Sequence, residues 1–202
     1  MVDRHPREGG GPASSEEQRD SRFRGNDELG QPMTGDNCRA EPFSEALREP
    51  LKAACAEDPD IWEIYANNFG PDGFYQTIAF YTSNPRNRMF VLFDGDELAG
   101  MSSFLGIDEG RQTLEIGGSY YRPKFRGTGF NRRAKAMMLK RAFDCRIRRV
   151  EFRVDMRNTR SQAAMKKLGA VREGVLRADR ITWTGHVRDT ALFAILKDEW
   201  PV

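Results

Sequence analysis

Histidine and cysteine are scarce in this sequence: two histidines, His5 and His186, and three cysteines, Cys38, Cys55 and Cys145, with no clustering among them. Neither a disulfide framework nor a zinc site is therefore expected, no metal is assigned, and the cysteines read as reduced, inert thiols. Neither histidine has an evident acid or nucleophile partner. Long apolar runs are also lacking. No stretch of about 18 uncharged apolar residues could span a bilayer, and the start of the chain has no continuous apolar core of a secretion signal, so a soluble, cytoplasmic protein is expected. Charge of one sign is missing overall: 32 basic and 30 acidic residues leave a formal net charge of +2.

The apolar fraction, 39%, is low for a globular chain, and the shortfall has a location. Residues 1–37 hold only Met1, Val2, Ala13, Phe23, Leu29 and Met33 as apolar side chains, beside six glycines and thirteen charged residues. Such a segment cannot offset its ordering entropy. The expectation is a tail over 1–37, without catalytic residues, and one domain over 38–202. Residues 5–27 resemble the translation of repetitive intergenic elements that bacterial gene boundaries sometimes include, with Met33 as the alternative start. A natural disordered tail and a miscalled extension both remain open.

Beyond the tail the pattern is regular. A short strand is expected at 39–43, then a helix face from Ala46, Leu47, Leu51, Ala54 and Cys55, with Pro50 awkwardly placed in it. Phe74, Ile78 and Tyr81 mark a second helix over 72–81. Apolar runs at 89–93 and 98–105 flank Asp94-Gly-Asp-Glu97, a hairpin signal. A strand at 113–121, a helix at 131–145, a strand at 149–155, a helix at 160–168 and strands at 171–181 and 188–196 complete the series. The class is α/β, with a mixed parallel and antiparallel central sheet and helices on both faces. The strand–helix–strand unit at 113–155 should be a right-handed parallel crossover, placing the turn Arg126-Gly-Thr-Gly-Phe-Asn131 at the carboxyl end of its strand.

That turn has the layout of a phosphate cradle: Gly127 and Gly129 allow a tight backbone with open N–H groups, and the helix that follows adds donors and partial positive charge. On spacing alone they could equally be turn glycines. Gly117-Gly118 interrupts a strand, which signals a bulge or a close approach by a ligand. With Leu114-Glu-Ile-Gly-Gly-Ser-Tyr120, the Arg126–Asn131 turn, Asp155-Met-Arg-Asn-Thr-Arg-Ser161 and Lys167-Leu-Gly-Ala-Val-Arg-Glu-Gly174 in this order, the chain over about 39–202 resembles the GNAT superfamily of acetyl-CoA-dependent N-acetyltransferases, and within it the branch that acetylates ribosomal-protein N-termini.

The resemblance implies acetyl-CoA as acetyl donor. Ser119, Tyr120 and Tyr121 would line its pantetheine arm, Arg126, Gly127, Thr128, Gly129 and Asn131 would hold its pyrophosphate, and Asn158 would touch the cofactor. It also implies Ser161 near the departing thiolate and an acidic residue of the central strand, Glu115, as general base, with Glu173 a weaker alternative. Read as plain residues, Arg126 is a surface charge, Asn158 a helix cap, Ser161 a first-turn residue and Glu115 an outward strand charge. A primary amine would attack the thioester directly through a tetrahedral intermediate, and an α-amine asks less of a base than a lysine does. The acceptor, a protein N-terminus or a small amine, and the state, monomer or homodimer, stay open. Trp62, Tyr65, Phe74, Tyr75 and Trp183 lie where acceptor pockets vary in this superfamily, but most read as core.

Between residues 122 and 149 there are eleven Lys or Arg side chains against one acid, Asp144. This local charge suits a coenzyme's phosphates, a solvated helix face or RNA. Stacking aromatics are not interleaved with it, so nucleic acid is the weaker partner. Arg132-Arg133 departs from the family, where a polar or acidic pair is expected. A catalytically silent acyl-CoA-binding module of regulatory role is the other reading.

Overall fold

The structure, a computed structural model, describes residues 27–201. Most of the expected tail, residues 1–26, lies outside the described residues. Its last part does not behave as a tail. Leu29 and Met33 are buried, at 1% and 3% exposure, and Met33–Gly35 forms strand β1. Sparse apolar content concealed this, because two well-placed side chains suffice to dock a short segment.

Strand β2 (Cys38–Pro42) follows, then a 3-10 turn at Glu45–Leu47 and helix α1 (Arg48–Cys55). Pro50 falls in the first turn of α1, where the missing N–H costs nothing. A 3-10 segment at Pro59–Ile64 leads on to helix α2 (Phe74–Ser83). Strands β3 (Arg88–Asp94) and β4 (Glu97–Asp108) form the expected hairpin about Gly95-Asp96, with Gly95 at φ +59°. Strand β5 (Thr113–Tyr121), helix α3 (Phe130–Asp144), strand β6 (Arg149–Asp155), helix α4 (Thr159–Leu168) and strands β7 (Val171–Ile181) and β8 (Val187–Leu196) complete the chain.

The eight strands make one sheet in the order β1-β2-β3-β4-β5-β6-β8-β7. All neighbours are antiparallel except β5 and β6. Alternation along β3 sends Phe90 and Leu92 into a core beneath α3 and α4, and Met89, Val91 and Phe93 into a second core beneath α1 and α2. Helices therefore cover both faces, as the sequence pattern predicts. The three cysteines are buried free thiols, and burial pushes Cys38 and Cys145 up to about 11.

Much of the basic stretch is engaged within the fold. Arg133, the family departure, forms a paired contact to Asp94 at 3.0 and 2.9 Å and so pins α3 to the β3–β4 hairpin. Arg122 binds Glu57 and Glu97, Lys140 binds Asp144, and Arg149 binds Glu151 and Glu173. Arg141 donates to the carbonyls of Glu28, Gln31 and Pro32 at 2.5, 3.2 and 2.9 Å. Together with Leu29, these bonds fasten residues 28–32 to α3. A chain beginning at Met33, or a Leu29→Ala variant, should lose about 2–5 kcal/mol of unfolding free energy in a urea titration.

Candidate active site

The parallel pair that should join β5 to β6 is very short. Only Thr113, Leu114 and Glu115 pair with Arg149, Val150 and Glu151. Beyond that point β5 stays with β4 and β6 with β8, so the two strands part and a wedge opens between them. The bulge expected at Gly117-Gly118 lies inside this wedge. Met101 pairs with Tyr120 and Ser103 with Gly117, so Ser102 stands opposite two residues, Gly118 and Ser119. Gly118 sits at φ +57°, a conformation that suits glycine. Behind it, a side-chain carbon at Gly100 would lie 2.0 Å from the Tyr120 carbonyl oxygen, so the strand can approach there only over glycine.

At the mouth of the wedge lies the 126–131 turn. Gly127 and Gly129 have φ of +81° and +87°, and Gly129 is the residue from which α3 starts. The N–H groups of Gly127, Thr128, Gly129 and Asn131 meet no acceptor among the described residues, and a Cβ added at either glycine would meet nothing within 4 Å. Two buried polar atoms are also unsatisfied here, Arg126 Nη2 and Asn131 Oδ1. Buried polar groups seldom go unpaired. Wedge and turn share one cavity of about 490 Å³.

The expected site residues mostly converge on it. Glu115, Ser119, Tyr121, Arg126, Gly127, Asn131, Asn158 and Ser161 line the cavity. Tyr120 does not: its side chain is fully buried in the core beneath α1, where its hydroxyl donates to the Ala54 carbonyl oxygen at 2.8 Å. Strand alternation forces this, since Tyr121 faces the wedge. The Thr128 hydroxyl is turned back into its own loop, donating to Phe125 O at 2.8 Å. Arg126 is no free surface charge. It donates from Nε to Tyr121 O at 2.8 Å and from Nη1 to the Asp58 carboxylate. Asn158 caps α4, its Oδ1 accepting from Ser161 N at 2.9 Å, which leaves its amide nitrogen unengaged among the described residues. Ser161 Oγ has no hydrogen-bond partner among the described residues. Glu173, the weaker alternative, is not among the residues lining the cavity and accepts two bonds from Arg149, at 2.7 and 2.5 Å.

Glu115 is not an outward charge. Its carboxylate lies against the bulge, where a Cβ at Gly117 would come within 2.5 Å of Oε1. Burial raises its pKa, against the lowering pull of Arg180, Arg153 and Arg188. Tyr65, Ser102 and Lys135 were not foreseen as a set. Tyr65, from the loop after Pro59–Ile64, lines the cavity and donates to the Ser119 carbonyl oxygen at 2.7 Å, while Trp62 and Phe74 are core and Tyr75 is exposed. Lys135 is 3% exposed, with Nζ 2.5 Å from Ser119 Oγ and 3.4 Å from Ser102 Oγ, and the two hydroxyls are 2.7 Å apart. The available signal was helical spacing, because Lys135 lies four residues after Asn131 and shares its face.

A mixed sheet split at its parallel pair, with an open glycine turn at the mouth of the split, defines an acyl-transferase scaffold. Residues 39–171 match the acetyltransferase (GNAT) domain, and the chain belongs to that family, whose members transfer acyl groups from acetyl-CoA. A T. thermophilus protein described as an acetyltransferase is similar, with 32% identity over 84% of this chain and 91% of that one, at a TM-score of 0.76. A Chromobacterium violaceum protein described as a GNAT-family acetyltransferase has 25% identity, covers 99% and 98% of the two chains and has a TM-score of 0.78. Mycobacterium smegmatis RimJ, solved with CoA-disulfide, shares the fold at 22% identity over 85% and 88%, with a TM-score of 0.73. No match was found among curated protein sequences. The open N–H groups and the unsatisfied Arg126 Nη2, all donors, fit a pyrophosphate, whereas Asn131 Oδ1 is an acceptor and calls for a donor from the ligand.

Burial brings Lys135 down to about 7, with Glu115 acting in the opposite direction. In the unfolded chain the amine holds its proton to about pH 10.4. Folded Lys135 thus binds protons less tightly, and stability from this group grows as pH rises from about 7 towards that value. The stability difference between wild type and Lys135→Met should move in favour of wild type over that range. A difference independent of pH would place the amine in water.

Proposed function

We propose that the protein transfers the acetyl group of acetyl-CoA to a primary amine, with a protein N-terminus of the ribosomal type as the first acceptor class and polyamines and small amines next. The observation that carries this reading is the early parting of β5 and β6, which opens a wedge onto a turn with four unengaged N–H groups. Acetyl-CoA supplies an activated acyl group in its thioester. Gly127, Thr128, Gly129 and Asn131 would hold the pyrophosphate through the backbone, with Arg126 adding charge from its unsatisfied Nη2. Ser119 and Tyr121 line the arm of the slot.

Glu115 takes the proton from the attacking amine. Its buried position raises its pKa and so makes it a stronger base than an exposed carboxylate, while the arginines nearby keep the carboxylate form accessible. Backbone N–H groups of the bulged strand stabilise the developing oxyanion. Ser161, which lines the cavity with its hydroxyl unengaged among the described residues, would give the departing thiolate its proton. RimJ, which shares this fold, was solved with CoA-disulfide, and this supports a coenzyme A species as the ligand of the slot. The engagement of Arg122, Arg133, Arg141 and Arg149 within the fold speaks against RNA as the main partner.

Calorimetric titration of acetyl-CoA into the full chain should show binding that weakens at least about tenfold, about 1.4 kcal/mol, in Gly129→Val, whose side chain opposes the φ of +87°. An unbound but folded wild type would overturn the reading. Against a panel of N-terminal peptides, polyamines and small amines, turnover of one class is expected; binding without turnover of any would favour the silent module. Glu115→Gln should lower kcat about 10²–10⁴-fold with little change in acetyl-CoA affinity. The acid limb of the wild-type pH profile should lie above the ordinary carboxylate range, because burial raises the Glu115 pKa.

A further inference from the structure

Lys135 reaches the wedge from α3 and touches both of its lips. Nζ bonds Ser119 on β5 and lies 5.7 Å from the ring centroid of Phe152 on β6. A group threaded between the strands must pass it. The surroundings suit a neutral amine. An ammonium has three N–H donors, whereas an amine has two and one lone pair. The site offers two acceptors, Ser119 Oγ and Ser102 Oγ. No carboxylate forms an ion pair with Lys135 among the described residues, and Glu115 acts on it only through space. With both N–H groups engaged, the neutral nitrogen keeps one lone pair.

We propose that Lys135 is a self-acylation site, taking the acyl group of an acyl-CoA held in the wedge. The inference rests on the wedge being the acyl-CoA slot. The Nζ lone pair attacks the thioester carbonyl carbon, the C–N bond forms, and the C–S bond breaks. Sulfur leaves as thiolate and receives the proton that nitrogen gives up, so the products are an N6-acyl-lysine and the free thiol of coenzyme A. The new amide keeps one N–H for a serine oxygen. Its acyl group stands in the wedge, so a modified chain no longer accepts acyl-CoA. Burial supports this chemistry by bringing the amine to about 7. Among the charged groups on this cavity are Glu115 on β5, Arg153 and Asp155 on β6, Arg126 ahead of α3, Arg180 on β7 and Arg188 on β8, and of these Glu115 acts on Lys135.

The test incubates the full chain with acetyl-CoA and no amine, and locates acetyl groups by peptide mass mapping, with calorimetric binding measured in parallel. At pH 7 an amine titrating near 7 is about half neutral, whereas one titrating near 10.4 is neutral at about one part in 10³. The expected result is one acetyl group per chain at Lys135, formed at a rate that levels off above about pH 7, while any reaction at exposed lysines keeps rising with pH. Lys135→Arg should lose that modification, and a thermal melt reports whether the variant is folded; the wild-type map decides even if it is not. Acetyl-CoA binding without acetylation at Lys135, or acetyl groups scattered over exposed lysines, overturns the inference while leaving the slot intact. Absence of binding overturns both.

Discussion

Everything about this site depends on three residue pairs. A parallel strand pair normally continues until one strand ends, since each unmade ladder bond leaves backbone groups to be satisfied elsewhere. Here the pairing stops at Glu115 and Glu151, and both strands run on with other neighbours. The wedge is stable because β4 and β8 each satisfy one outer edge, and because the bulge at Gly118 turns β5 away from β6. Once the wedge exists, its position relative to α3 is fixed. The turn that ends β5 must begin the helix within a few residues, so the open N–H groups face the same space.

The basic stretch shows how the same charges can hold a fold and shape a field. Arg133 joins α3 to the end of β3, Arg141 joins it to the segment ahead of β1, and Arg149 joins β6 to β7. Such contacts, partly exposed, add little stability individually. Their effect here is geometric. Arg133 ties the first turn of α3 to the β3–β4 hairpin, and Arg141 ties its last turn to residues 28–32.

Most of the strand and helix pattern was legible in the sequence, because apolar periodicity and turn residues agree along nearly the whole domain. The hairpin at Gly95-Asp96, strand β5 and strand β6 lie where alternation places them. Glycine positions disclosed the bulge and the turn for the same reason. The sequence was misleading where one side chain outweighs its surroundings. Leu29 and Met33 dock a segment whose composition reads as tail, and Tyr120 belongs to the core although both residues beside it face the cavity. Lys135 was concealed in a run of like charges. Only the geometry separates a buried amine between two serines from the solvated basic residues around it in the chain.

Arg126 carries its own counter-ion. With Asp58 on one nitrogen and the Tyr121 carbonyl on another, the guanidinium is already largely neutralised before any ligand arrives. An incoming anion therefore competes with a resident carboxylate instead of meeting a bare charge. A singly charged ion offers no advantage over that carboxylate, whereas a pyrophosphate brings more charge and can engage the neighbouring backbone at the same time. The arrangement therefore favours a ligand whose charge exceeds that of the resident carboxylate and which reaches the open N–H groups as well.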